Sequence, residues 1–311
     1  MEQYAAYSQK YSAGIWDMSV DFDGSMSMMG APITLEGSAA GTVADATRMS
    51  MDMGMTMDML AFMESMYAMA AAEGQTSGSL SAEDQAMAEA LAAEGVSMSL
   101  RGDLDSGTLY MNMVFPASFQ EEAGMDPDVW YSMDLNASLA EMNMDFSQLV
   151  ELSKSPDRDG LIQLLLGSAE LTSVSDYGEI QAAVNAVASA LADESFVRNG
   201  SDCTLDLSLP LSGTGSAQST FTLTTRGDEV VGYRMTISMA EESKLAMDMT
   251  VSMDEADQME ARISMNMMDG LIAMELNMAG GYARGSAAPE TQPPAGAVIV
   301  PLEDMTASLP E

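Results

Sequence analysis

The chain has 311 residues, with 48 acidic against 11 basic side chains and a formal charge of −37. A field of that sign repels phosphate backbones and anionic membrane surfaces, which excludes nucleic acid as a partner. Histidine is absent and Cys203 is the single cysteine, so Ser-His-Asp and Cys-His machinery, Cys-based zinc sites and an intrachain disulfide partner are excluded with it.

An apolar fraction of 47% is that of a folded protein, so the acidity does not imply disorder. No apolar run reaches the length of a membrane-spanning helix. The start, Met1-Glu2-Gln3-Tyr4, lacks the basic and apolar regions of a signal peptide, so the chain reads as cytoplasmic or as given without an export segment.

Residues 1–13 form a polar, frayed or helical lead-in. Trp16, Met18, Val20, Phe22, Met26 and Met28 then alternate with Asp17, Ser19, Asp21, Asp23, Ser25 and Ser27. Period two places such residues on one face of a strand. After a turn at Gly30-Ala31-Pro32, Ile33, Leu35, Gly37, Ala39, Gly41 and Val43 continue the alternation. It is strictest at Met49, Met51, Met53, Met55, Met57 and Met59, interleaved with Ser50, Asp52, Gly54, Thr56 and Asp58. Three strands with short links read as an antiparallel meander.

Residues 60–94 break the pattern and read as a pair of helices. Leu60–Ala72 is Met- and Ala-rich, Gly74–Gly78 is a loop, and Ser81 with Asp84 has the form of a capping box closed by Gly95. Strands resume at Val96, Met98 and Leu100 and at Leu109, Met111, Met113 and Phe115. Pro116–Asp128 reads as a loop before a strand at Val129–Leu135, with Tyr131 and Met133 on one face and Trp130 on the other.

The middle, about 138–192, is predicted helical. Asp145 and Gln148 frame a capping box, Leu161–Leu166 is apolar, and Ile180, Val184, Val187 and Leu191 form a stripe behind a cap at Asp176. Alternation then returns for good: Cys203 to Leu209, Phe221 and Leu223, Val231 to Met239 with Tyr233, Met235 and Ile237, Leu245 to Met253 with Met247 and Met249, Met259 to Met267 with Met265, and Ile272 to Met278. Gly227-Asp228 and Asp269-Gly270 mark turns. Val298–Val300, ended by Pro301, adds a short edge segment, and residues 306–311 are a tail.

About 11–12 strands sharing an apolar face cannot leave that face in water. The fold expected is therefore α+β, a large curved antiparallel sheet with helices packed on its concave side.

With these alternating acidic strands, the Trp130-Tyr131-Ser-Met-Asp-Leu135 strand running into helices, and the late Pro293-Pro294-Ala-Gly segment, the chain resembles bacterial LolA/LppX-type lipoprotein carriers. The resemblance spans most of residues 14–305, read as one domain with helical insertions at 60–94 and 138–192. It implies a half-barrel with a helical lid that holds a lipid or other hydrophobic small molecule. It also implies an extracellular or cell-envelope location with a lipid anchor. The chain departs from the family pattern in lacking a signal peptide and an N-terminal lipid-acceptor cysteine.

The methionine face admits three readings: plain core, an adaptable lining for an apolar guest, or a soft-metal site. The last loses ground because methionines at alternate positions form a row shared with Val, Leu, Ile and Phe. The lining candidates are Met18, Val20, Phe22, Met49, Met51, Met53, Met55, Met57, Met111, Met113, Met235, Met247, Met249 and Met265. No cofactor, resident metal or catalytic residue is expected.

Asp157-Arg-Asp159-Gly160 has the middle of a calcium loop but offers Leu166 where a bidentate Glu is required. Asp21–Gly24 and Asp103–Gly107 are more simply turns. The carboxylates lie chiefly on the polar parity, where a solvated surface accounts for them better than a glycosidase pair. The alternatives to a carrier are a scaffold domain with a packed Met-rich core and acidic surface, or an acidic cation binder.

Overall fold

The period-two pattern becomes one fourteen-stranded sheet in the computed structural model. The structure describes residues 2–28, 30–72, 79–123, 126–137, 150–151, 196–210, 216–241, 245–267 and 270–302. The first half supplies β1 (Ile15–Met28), β2 (Ala31–Ala44), β3 (Arg48–Asp58), β4 (Val96–Asp103), β5 (Thr108–Val114) and β6 (Val129–Asp134). The second supplies β7 (Val197–Asn199), β8 (Asp202–Pro210), β9 (Ser216–Arg226), β10 (Glu229–Glu241), β11 (Leu245–Met253), β12 (Gln258–Met267), β13 (Ile272–Arg284) and β14 (Val298–Pro301).

Their order, β14-β6-β5-β4-β3-β2-β1-β13-β12-β11-β10-β9-β8-β7, is that of two meanders joined along β1 and β13. Within each meander consecutive strands pair antiparallel, several of them across short turns, although residues 59–95 separate β3 from β4 and residues 115–128 separate β5 from β6. Gly30, Gly107 and Gly227 sit in such turns with φ of 83°, 72° and 67°, a region open to glycine. The sheet is curved and open, with edges at β14 and β7, giving the expected half-barrel-like α+β architecture.

Two expectations need correction. The described residues form fourteen strands, above the 11–12 expected. The three residues of β7 are all exposed and carry no alternation to read, whereas β14 is the short edge segment expected at Val298–Val300 and pairs parallel with β6. Within the Pro116–Asp128 segment, read as a loop, lies the helix α4 (Ala117–Ala123). The Pro116 carbonyl starts it by accepting from the amides of Phe119 and Gln120, and Phe119 packs on Phe115 with ring centroids 4.9 Å apart.

The helices α2 (Leu60–Ala72) and α3 (Ala82–Ala93) form where expected. Ser81 and Asp84 make the reciprocal capping box, and Gly95 follows with φ of 71°. The Tyr67 hydroxyl donates to Asp84 at 2.7 Å and so ties the two helices together. α2 lies against β2 and α3 against β3. The Gly74–Gly78 loop, the capping box at 145–148, the apolar run 161–166, the 176–191 stripe, the 157–160 loop and the tail 306–311 lie outside the described residues.

The lead-in is the helix α1 (Glu2–Ser12), which packs against β10. Its Tyr7 joins Leu223, Val230 and Met253 in a buried cluster, with Tyr4, Tyr11, Phe221, Tyr233, Met259 and Tyr282 packed around it.

Candidate functional site

Strand register decides whether twelve separate alternations make one surface, because residues directly opposite each other share a face. They do make one. Along β1, Met18 faces Tyr282 and Gly41, Val20 faces Gly280 and Ala39, and Phe22 faces Met278 and Gly37. Moving outward on one side, Met51, Met53, Met55 and Met57 face Gly41, Ala39, Gly37 and Leu35, and Met49 faces Val43. Met53 faces Met98, which faces Met113, and Leu100 faces Met111. On the other side, Met265 faces Met274 and Met247, Met249 faces Ile263, and Met235 faces Val251 and Phe221. All fourteen lining candidates therefore belong to one apolar face running from β8 to β6.

Small residues on β2 make room for large ones beside them. A Cβ at Gly37 would come within 2.5 Å of the Phe22 ring, and one at Gly41 within 3.2 Å of the Met51 Cβ. Of the fourteen candidates only Val20 is buried; the others, every methionine included, are half-buried.

The face is not uniform along the strands. At the end marked by Trp16 and Tyr282 it is aromatic and covered by α1. Tyr4 meets Phe221 and Tyr233 edge-on at 5.1 and 5.8 Å, and Tyr11 meets Trp16 and Tyr282 at 5.0 and 5.3 Å. The Tyr11 hydroxyl donates to Asp257 at 2.6 Å, and Lys10 forms an ion pair with the same carboxylate. Burial pushes the Tyr7 and Tyr282 phenols above their ordinary range and Tyr233 up to about 12. Tyr11 is raised too, by burial and by its bond to Asp257. At the opposite end the neighbours are Met26, Met274, Met265 and Met247.

Sequence reasoning missed this α1 cluster, although Tyr4, Tyr7 and Tyr11 stand at helical spacing and could have disclosed it. Cys203, on the apolar parity of β8, is half-buried and packs at the margin of the same cluster.

The polar face holds the carboxylates as expected, in short cross-strand hydrogen bonds. Thr42 donates to Asp17 at 2.9 Å, Asn277 to Asp23 at 3.0 Å, Ser99 to Asp52 at 2.6 Å and Thr220 to Asp206 at 2.7 Å. Arg101 adds an ion pair with Asp52 at 2.9 Å and sits 5.7 Å from the Trp130 ring centre. Trp130 is buried, in keeping with a packing role. A cavity of about 620 Å3 opens among Asp21, Asp23, Glu36, Arg234, Glu260 and Arg262, an assembly not legible from the sequence. Among the described residues no group of three or more His, Cys, Asp or Glu is placed to hold a metal ion, and no helix is long and apolar enough to cross a membrane.

No family model matches the chain, and no curated protein matches it. Thirty-three chains of solved structures do. One, a DUF1329 family protein from Desulfovibrio piger ATCC 29098, is 9% identical over 92% of this chain and 93% of its own, with a TM-score of 0.29. Another, from a structure of lipid–protein interactions in lipovitellin, is 8% identical over 94% of this chain and 28% of its own, with a TM-score of 0.23. At scores this low the fold assignment rests on the chain's own strand register, which makes this protein an open, half-barrel-like antiparallel sheet with one continuous apolar face.

Proposed function

We propose that this is a non-enzymatic, exported envelope protein that holds a hydrophobic ligand, a lipid or its acyl chains, between the sheet and its helices. The observation that carries the reading is that thirteen of the fourteen lining candidates, all but Val20, stay half-buried on a face that is apolar from β8 to β6. A face meant only as core gains most from complete burial, at about 25 cal/mol per Å2 of apolar area. Methionine suits a guest of varied shape, since its unbranched thioether chain repacks at little cost. The sequence-level resemblance to LolA/LppX-type carriers agrees with this reading. Acyl chains would take over contacts that the helices make with the sheet, and the methionines would change rotamer to follow them.

Native mass spectrometry of gently purified protein, followed by lipid extraction, tests the proposal. Adducts of lipid mass that disappear on extraction, together with saturable binding of a fluorescent fatty acid by the stripped protein, are expected. Bare protein that also fails to bind the fatty acid would overturn it.

A further inference from the structure

Methionine is spread along the strands, and register also gathers it across them, most extensively at one end of the second half of the sheet. Met247 of β11 faces Met265 of β12, Met265 faces Met274 of β13, and Met274 faces Met26 of β1. Four adjacent strands thus present four thioethers in a single cross-strand row, and in register that row continues to Met239 of β10, which lies opposite Met247. The next row in from it is mixed, with Met249, Ile263, Leu276 and Gly24, and a row farther along is Met253, Met259, Gly280 and Val20. Alternation within one strand sets successive methionines about 7 Å apart along the backbone. Cross-strand partners have Cβ atoms roughly 4.5–5.5 Å apart, and a methionine side chain reaches over that gap with three rotatable bonds.

We propose that Met247, Met265, Met274 and Met26 form a binding site for a soft monovalent metal ion of the Cu(I) or Ag(I) class. Thioethers are soft, neutral donors and select such ions over zinc, calcium or magnesium. Two or three of the four sulfurs can close on one ion, with the remaining one free to exchange in. All four side chains are half-buried, so the row is apolar enough to exclude competing water and open enough to admit an ion. The chain's charge of −37 raises the local concentration of cations around it. A thioether takes up no proton near neutrality, so the affinity of this site does not change between pH 5 and pH 7. A site built on the Cys203 thiolate or on carboxylates would weaken as those groups protonate.

The experiment uses the full chain without oxygen, with Cu(I) shared against a chromogenic Cu(I) chelator and Ag(I) as a redox-inert probe. Wild type should take Cu(I) from the chelator at one ion per chain and with equal affinity at pH 5 and pH 7. Met247→Leu, Met265→Leu and Met274→Leu combined should weaken uptake at least tenfold, while Cys203→Ser leaves it unchanged. A second readout needs no variant: in protein labelled with 13C at the methionine methyls, Ag(I) should shift Met26, Met247, Met265 and Met274. The proposal is overturned by failure of wild type to compete with the chelator, by loss of uptake in Cys203→Ser, or by methyl shifts confined to other methionines such as Met53, Met98 and Met113. Apolar-ligand binding is read separately with the fluorescent fatty acid, so either reading can fail without the other.

Discussion

The two ends of the apolar face are built from the same strands yet packed by different rules. At the α1 end, Tyr7 and Trp16 are 7% and 3% exposed, rings meet at defined angles, and Lys10 and Tyr11 both bind Asp257. Arg284 lies 3.9 Å above the Trp16 ring and closes that corner. At the other end, Met26, Met247, Met265 and Met274 stay half-buried. Rigid rings of fixed shape reward one arrangement, whereas thioether chains accept several of similar energy. One end is therefore packed specifically, and the other keeps the adaptability that the proposed guest or ion would need.

The largest effect is expected from Tyr7→Ala. Removing a buried ring from the cluster with Leu223, Val230 and Met253 should cost about 3 kcal/mol in denaturant-induced unfolding. A loss below about 1 kcal/mol would show that α1 contributes little to the fold, and the contrast between the ends would collapse.

A smaller effect is expected from alkali. The phenols of Tyr7, Tyr233 and Tyr282 are all raised above 10.0 in the folded protein, Tyr233 to about 12. They hold their protons where an unfolded chain would lose them, so their contribution is complete below about pH 10 and is lost as the pH climbs toward 12. Absorbance of ionised tyrosine against pH, followed beside circular dichroism, should show delayed ionisation and then loss of structure together. Ordinary titration of all nine tyrosines near pH 10 would contradict the packing at this end.

The smallest effect belongs to the methionine end. Met265→Leu or Met274→Leu conserves volume and should change stability by less than about 1.5 kcal/mol. A loss of several kcal/mol would mean that this end is as specifically packed as the aromatic one.

The strands could be read from the sequence because each carries its own period of two, as in Met49–Met57 and Leu245–Met253, and a strand's faces are set locally. The same holds for the Ser81–Asp84 cap, where the bonding groups lie three residues apart. β7 and α4 escaped because neither Val197-Arg198-Asn199 nor Ala117–Ala123 has enough apolar rhythm to outweigh its setting. The polar-face cavity among Asp21, Glu36, Arg234 and Arg262 escaped for another reason, since it joins strands from both halves of the chain.

Composition and alternation by themselves determined an acidic surface, an apolar face and the chemistry closed to a chain without histidine. Only tertiary structure decided which residues became neighbours across that face. It seated β1 between β2 and β13, set Met274 against Met26 and Met265, and laid Tyr4, Tyr7 and Tyr11 over Phe221, Tyr233 and Tyr282. The physical reason is range: which side a residue faces is fixed by its own backbone, while register depends on strands hundreds of residues apart meeting in one sheet.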